Sequence, residues 1–331
     1  MNCVRWGIIG GGKVVEVKSG PAFNASPKSE LHAIYRRTIE KATETQKLLG
    51  AKVAYSSLED FLADDRIDAV YIATPPGLHY EHAIACCDAG KIVYLEKPIA
   101  RSFVEAEAIV KYFREKGVPL YIAHYRRALP RFIEVQKMLT DNVIGDILEF
   151  RFRLERKKSV DEQHPWLFDP QMSGGGKFVD ISPHSIDILH LLFEGFEVIQ
   201  SCAVNRGAVN NLEDIVVASL KTTNGILGTV NYNFDQFSRS DRLEVYGSKG
   251  KISLSIHGNT PVELILDDKV SEFEFPYPEC IEAEMISEVV KSCLGLENHS
   301  CNGDQALATY ETIEKIIGPF YKDRDDMPFR Q

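Results

Sequence analysis

The stretch Val4-Arg5-Trp6-Gly7-Ile8-Ile9-Gly10-Gly11-Gly12-Lys13-Val14-Val15 decides the fold. An apolar run of this length, stopped by glycines, reads as a buried strand that enters a tight turn and then a helix. Gly10 permits the turn. Gly12 lets the backbone approach a phosphate-bearing ligand at a helix N-terminus, where N–H groups and the helix dipole favour an anion. Val15 stands where the pattern G-x-G-x-x-G has its third glycine. The turn therefore takes its meaning from what surrounds it.

What surrounds it alternates. Leu31 to Tyr35, Val53 to Tyr55, Ala69 to Ala73, Ile92 to Leu95 and Pro119 to Ala123 read as short strands. Ile39 to Leu49, Leu58 to Ala63, His79 to Ala89 and Ser102 to Lys116 read as helices between them, with Ser57 as a cap and Gly50, Gly90 and Gly117 as stops. Each crossover is about as long as a βαβ unit requires. The pattern predicts a doubly wound parallel sheet of the Rossmann type over residues 1–124, with a nicotinamide dinucleotide as its expected ligand.

After His124 the pattern changes. Pro130 to Leu139 and Val179 to Leu192 read as helices, and Ile147 to Glu155 as a long strand. From Glu197 to Phe275, strand candidates are separated by Thr223-Asn224-Gly225, Gly247-Ser248-Lys249-Gly250 and Leu266-Asp267-Asp268. Ile281 to Leu294 and Gln305 to Ile317 read as closing helices. Residues 125–331 are expected to form an α+β domain on one large, mostly antiparallel open sheet. Few helices are available to cover that sheet, so self-association into a homodimer or homotetramer through its open face is expected.

Composition narrows the class of partner. The 331 residues are 44% hydrophobic and 26% charged, which is enough apolar mass for two cores, and the net charge of −10 disfavours nucleic acid and anionic membranes. The seven cysteines are odd in number and contain no C-x-x-C pair, which points away from disulfides and zinc and toward a reducing compartment. Val4 to Ile9 is too short for a secretory apolar core, and no stretch approaches the roughly 18 apolar residues of a membrane span. A cytoplasmic location is expected.

The end of the second strand selects the ribose. NAD sites usually place an acid there to bind the 2′-hydroxyl. Here the residues are Tyr35-Arg36-Arg37-Thr38. Two guanidiniums attract a 2′-phosphate and bind it with paired hydrogen bonds, so NADP is expected in preference to NAD.

Further blocks follow in order: Trp6-Gly7-Ile8-Ile9-Gly10, Ala73-Thr74-Pro75-Pro76 with His79, Gly90-Lys91, Glu96-Lys97-Pro98, then Gly174-Gly175-Gly176 with Asp180, His184 and Asp187. With them the chain resembles the glucose–fructose oxidoreductase / inositol dehydrogenase / rhizopine-catabolism (Gfo/Idh/MocA) family. The resemblance runs along nearly the whole chain and is strongest over residues 4–187. It departs at Val15 and at Lys18, where many relatives have histidine. It implies NAD(P)-dependent oxidation or reduction of a carbohydrate, polyol or related alcohol–carbonyl pair, at an active site to which both domains contribute. Gly10, Gly12, Lys13, Val14, Arg36, Arg37, Thr74, Pro75, His79, Glu96 and Lys97 are the positions it implies for the cofactor. In relatives the lysine of E-K-P lies beside the nicotinamide and the substrate hydroxyl, so Lys97 is expected to orient both and assist proton transfer.

Asp180 and His184 are four residues apart, so on a helix they share a face. An imidazole with an ordinary pKa near 6.5 exchanges protons at neutral pH, and a neighbouring carboxylate orients it. His184 is therefore the expected general acid/base, with Asp180 as relay and substrate contact. Asp187, one turn further, is a weaker substrate candidate. Tyr125, Arg126, Arg127, His164 and Trp166 supply rings and donors suited to a sugar. Asp180, His184 and Asp187 would also suit a metal, but none is expected. Two other functions fit the same residues: redox-assisted sugar epimerisation or cleavage with a retained cofactor, and a non-catalytic dinucleotide-sensing regulator, which would not need Lys97, Asp180 and His184 together.

Overall fold

The computed structural model describes residues 2–157, 165–207, 209–296 and 301–330. Its strands are β1 Val4–Gly10, β2 Ser29–Tyr35, β3 Val53–Tyr55, β4 Ala69–Ala73, β5 Ile92–Leu95, β6 Leu120–Ile122, β7 Ile147–Lys157, β8 Phe196–Val204, β9 Ile215–Thr222, β10 Leu227–Gln236, β11 Ser240–Gly247, β12 Gly250–Leu254, β13 Val262–Leu266 and β14 Lys269–Phe273. The helices are α1 Gly20–Ala25, α2 Ile39–Leu49, α3 Leu58–Ala63, α4 His79–Asp88, α5 Phe103–Lys116, α6 Pro130–Thr140, α7 Pro170–Ser173, α8 Lys177–Leu192, α9 Ala283–Cys293 and α10 Gly303–Tyr321. None is long and apolar enough to cross a membrane.

The chain divides into two units. The first holds Met1–Ala100, Val104–Ala128 and Tyr277–Leu307; the second holds Arg101–Phe103, Leu129–Pro276 and Ala308–Gln331. The first unit continues to residue 128, and residues 277–307 return to it instead of staying with the C-terminal half. The reason lies on α9. Met285, Ile286, Val289 and Val290 form one stripe and bury in the cluster that contains Trp6, Ile8, Tyr71 and Tyr94. Full burial of such side chains stabilises by roughly 1.5–3 kcal/mol each. Periodicity shows that α9 has an apolar face, but not which sheet receives it.

In the first unit β1 to β6 form a parallel sheet in the order β3-β2-β1-β4-β5-β6. The order reverses between β1 and β4, and ligands of such sheets bind beyond the carboxyl ends of the strands at that point. Both strands are covered on two faces, which is why they read as unbroken apolar runs.

The second unit is built on a sheet in the order β14-β13-β12-β11-β7-β10-β9-β8, antiparallel except where β7 meets β10. Alternation along β9 shows its two faces: Val216, Ala218 and Leu220 are buried, while Val217, Ser219 and Lys221 are exposed. Helix α8 lies on the buried face, where Phe178 meets Tyr232 edge-on at 4.9 Å and Ser185 shares a 2.7 Å hydrogen bond with the Tyr232 hydroxyl.

Candidate active site

The first turn has the conformation its glycines allow. Gly10 and Gly11 have φ of +116° and +149°, and a Cβ on Gly10 would lie 2.7 Å from the Ala73 carbonyl oxygen. Around Gly12 there is open space, and Lys13 and Val14 are exposed. The helical run that follows begins with a π turn over Val15–Ser19, in which the Gly20 N–H donates to the Val15 carbonyl. Val15 buries completely, so its side chain points into the core and not at a ligand.

Arg36 follows β2 beside this turn. Its Cδ is 3.0 Å from where a Cβ on Gly11 would stand, and its guanidinium donates to Thr45 Oγ1 at 2.9 Å. Arg37 is exposed. Free backbone around Gly12, the start of a helix and a guanidinium fixed beside Gly11 fit the phosphates of a dinucleotide.

At the end of β5, Glu96 is almost fully buried and accepts two hydrogen bonds: from the Tyr71 hydroxyl at 2.6 Å and from the Lys97 N–H at 3.0 Å. Glu96 therefore sets the backbone that carries Lys97, with both its oxygens engaged by protein. His79 behaves similarly. It is fully buried between the carbonyl oxygens of Thr74 (2.7 Å) and Pro98 (2.8 Å), and burial pushes its imidazole down to about 4 against those hydrogen bonds. It ties the loops after β4 and β5 and has no surface left for a ligand. Thr74 and Pro75 stay partly exposed at this edge, as does Lys97.

A second carboxyl group lies in the same unit. Glu282, just before α9, is 1% exposed, and its Oε2 has no hydrogen-bond partner among the described residues; the hydroxyl of Tyr94, stacked on Tyr71 at 5.3 Å, has none among them either. Burial and the neighbouring Glu96 charge push Glu282 well above the usual carboxyl range, opposed by Lys18 and Lys97. Glu96 is raised by burial too, but Tyr71 and Lys97 favour its charged form. The proton belongs on Glu282. Sequence reading missed this residue because only the fold brings α9 to the end of β5.

In the second unit the three glycines seat α8. Gly174 has φ of +78° and approaches Arg101 so closely that a Cβ would stand 2.3 Å from its carbonyl oxygen. The Gly176 and Val179 N–H groups donate to the two oxygens of Glu213 at 2.7 and 3.1 Å, and the Tyr321 hydroxyl donates to the same carboxylate. A carboxylate at this end of a helix meets both its free donors and its dipole. Burial pushes Glu213 up, while those donors favour its charge. Asp180 and His184 follow within two turns and are both half-buried. Pro183, inside α8, removes the N–H that would close the turn back to Val179.

Other expectations need correction. Asp187 is fully buried and accepts from Thr309 Oγ1 at 3.4 Å. It shares the helix face of Asp180, but two turns further along that face is covered by α10, so it offers nothing to a substrate. Tyr125 is 5% exposed, part of the first unit's core, with the Arg126 guanidinium 5.2 Å from its ring. Burial pushes its hydroxyl up to about 12. Arg127 and Trp166 are partly exposed, and His164 lies outside the described residues. Among the described residues no three potential metal ligands gather.

Comparison with known proteins follows the same division. Residues 4–124 match the model of an oxidoreductase family with an NAD-binding Rossmann fold, Gfo/Idh/MocA, and residues 132–253 match the Gfo/Idh/MocA C-terminal domain. An oxidoreductase of Formosa agariphila is 30% identical over 95% of this chain and 98% of its own. A scyllo-inositol 2-dehydrogenase (NADP(+)) of Bacillus subtilis is 30% identical over 58% of this chain and 52% of its own. The solved structure of a levoglucosan dehydrogenase with NADH and levoglucosan superposes with a TM-score of 0.83 at 23% identity, covering 96% of this chain and 97% of that one, and so shares the fold. The chain belongs to the Gfo/Idh/MocA family of NAD(P)-dependent oxidoreductases.

The buried acid gives the first prediction. A carboxyl group whose folded pKa is raised destabilises the fold as pH rises from its unfolded value, about 4.3, through its folded value. Replacing Glu282 by Gln removes that loss. Thermal unfolding of Glu282→Gln should match the original protein near pH 4 and exceed it at pH 8; equal pH dependence of Tm in the two proteins would contradict the assignment of the proton.

Proposed function

We propose that this protein is an NADP-preferring dehydrogenase or reductase for a CH–OH group of a sugar or polyol, with Lys97 and His184 handling the hydroxyl proton. The observation that carries the proposal is Lys97 itself, held by Glu96 at the carboxyl end of β5 in an NAD-binding unit. The relatives that act on scyllo-inositol and levoglucosan support the substrate class. Gly10, Gly12, Lys13 and Val14 hold the pyrophosphate, Arg36 and Arg37 the 2′-phosphate, and Thr74 and Pro75 line the same edge. When bound, the nicotinamide supplies a two-electron hydride acceptor or donor.

The protein's own groups do the rest. The Lys97 ammonium lies against the substrate oxygen and stabilises negative charge developing there. The His184 imidazole takes the hydroxyl proton in oxidation and returns it in reduction. Asp180 orients that ring and, with Arg127 and Trp166, contacts the sugar. The cysteines form no disulfide among the described residues, in keeping with work in a reducing cytoplasm.

Three measurements test this reading. NADPH should bind more tightly than NADH, and Arg36→Ala should weaken NADPH about 10- to 100-fold, as expected for charge-assisted hydrogen bonds, while changing NADH little. Equal affinity for the two cofactors in the unaltered protein would remove the preference. His184→Asn should lower kcat by about 10²–10⁴ in a sugar and polyol panel followed by NADPH absorbance, with the NADPH Kd unchanged; a retained kcat would defeat the assignment. The outer face of the second sheet carries Val217 and Leu227 among Arg151, Arg153 and Lys221. We place a homodimer or homotetramer contact there, and sedimentation showing only monomer at every concentration would rule it out.

A further inference from the structure

The segment that follows α10 carries a buried arginine outside every sequence motif. Within the second unit, the Arg330 side chain is only 5% exposed. Its Nε and Nη2 donate to the Gly174 carbonyl oxygen at 3.2 and 2.6 Å. Its Nη1 donates to both carboxylate oxygens of Glu314, on α10, at 2.8 Å. The guanidinium also stands 4.8 Å from the centroid of the Tyr321 ring, whose hydroxyl donates to Glu213. The backbone beside it is held as well. Ser102 Oγ donates to the Phe329 carbonyl at 2.6 Å, and the Arg101 guanidinium lies 4.3 Å from the Phe329 ring centroid. A guanidinium offers its donors in a rigid planar fork, so one engaged on two sides keeps one rotamer.

These contacts converge on one short stretch of chain. Gly174-Gly175-Gly176 leads into α8, and α8 carries Asp180 and His184. Arg330 grips the Gly174 carbonyl, while Glu213 grips the N–H groups of Gly176 and Val179. Arg330 reaches both holds, Gly174 directly and Glu213 through Tyr321. Pro183 makes these outside holds matter. It has no N–H to offer the Val179 carbonyl, so the first turn of α8 is tied to the rest of the helix by one bond fewer. Asp180 lies in that first turn, and His184 follows Pro183 directly. Where the turn sits is therefore set by what holds its beginning.

We propose that Arg330 is a positioning residue for Asp180 and His184: by fixing the Gly174 carbonyl against α10 it sets the first turn of α8, and with it the two side chains that meet the substrate. This rests on the roles proposed above for His184 and Asp180. A cleft of about 480 Å³, lined by Glu314, Tyr321, Lys322 and Arg330 among others, opens beside the guanidinium and gives a small cation access to its place.

Two readouts on the full chain test it. Amide hydrogen exchange needs no substrate. Arg330→Ala should lose protection over residues 174–184 and keep it in β7 and β10. Arg330→Lys, which keeps a cation beside Glu314 but replaces the fork by a single point of donation, should lose part of that protection while preserving the fold. The second readout is turnover of whichever sugar or polyol of the panel the unaltered protein oxidises or reduces fastest. In Arg330→Ala, kcat should fall about 10- to 100-fold, the cost of a small misplacement of reacting groups, with KM and the NADPH Kd little changed. Methylguanidinium at sub-denaturing concentration should restore part of both readouts in Arg330→Ala. Unchanged protection of residues 174–184 in both variants overturns the proposal. So does an equal loss in β7 and β10 in both, which would make Arg330 a prop of the whole unit. So does an unaltered kcat in both variants where His184→Asn has lost its activity. A retained kcat in His184→Asn defeats the catalytic reading instead, and leaves the exchange result standing as a separate fact.

Discussion

A carboxylate buried at the end of β5 is the constraint on which the working edge of the first unit depends. Glu96 accepts from Tyr71 on β4 and from the backbone of Lys97, so one group joins two neighbouring strands to the residue that follows them. An ionised group in this place is costly, and it is tolerable because its donors are already aimed. Glu282 tightens the same constraint. Two buried carboxylates sharing a neighbourhood cannot both be charged, and the one with a bare oxygen keeps its proton. The edge then carries one negative charge, with Lys97 and Lys18 as its nearby cations.

The second unit uses the same device twice. Glu213 accepts from the Gly176 and Val179 N–H groups and fixes the start of α8; Asp241 accepts from three successive N–H groups and fixes the loop after β12. In each case a carboxylate is satisfied by backbone donors, whose directions are set by the chain itself. A pairing with a long cationic side chain would hold its partner less rigidly, since both ends could change rotamer. The glycines of Gly174-Gly175-Gly176 belong to this device. They admit Glu213 and the Arg101 backbone to within distances that any Cβ would forbid.

How much of this was legible depends on whether a feature is local. The strand–helix alternation and the cap at Ser57 follow from runs of a few residues, and they agree with the parallel sheet β3-β2-β1-β4-β5-β6. That Asp180 and His184 share one helix face is legible because four residues on a helix are one turn. Asp187 misled for the same reason: spacing gives its face, but α10 decides whether that face is open. His79 carries a residue type suited to ligands, yet two carbonyls enclose it. Glu282, Glu213 and Arg330 left no local signal, because each meets its partners only after distant segments fold together. The return of residues 277–307 to the first unit is the same limit at larger scale.

Val15 shows that the glycine pattern of the first turn contains two separate requirements. The first two glycines concern the turn and the ligand: Gly10 abuts the Ala73 carbonyl, and Gly12 leaves the backbone open. The third concerns helix packing, since it normally lets the following helix approach its neighbours. Here the π turn inserts one extra residue, so the chain reaches the next close approach five residues later. That position is Gly20, where a Cβ would meet Leu49 of α2 at 2.8 Å and the Val15 carbonyl at 2.4 Å. Val15, released from that contact, fills the core with Val4, Trp6 and Ile8. The departure from the pattern therefore affects how α1 and α2 pack and leaves the backbone at Gly10 and Gly12 as the pattern requires.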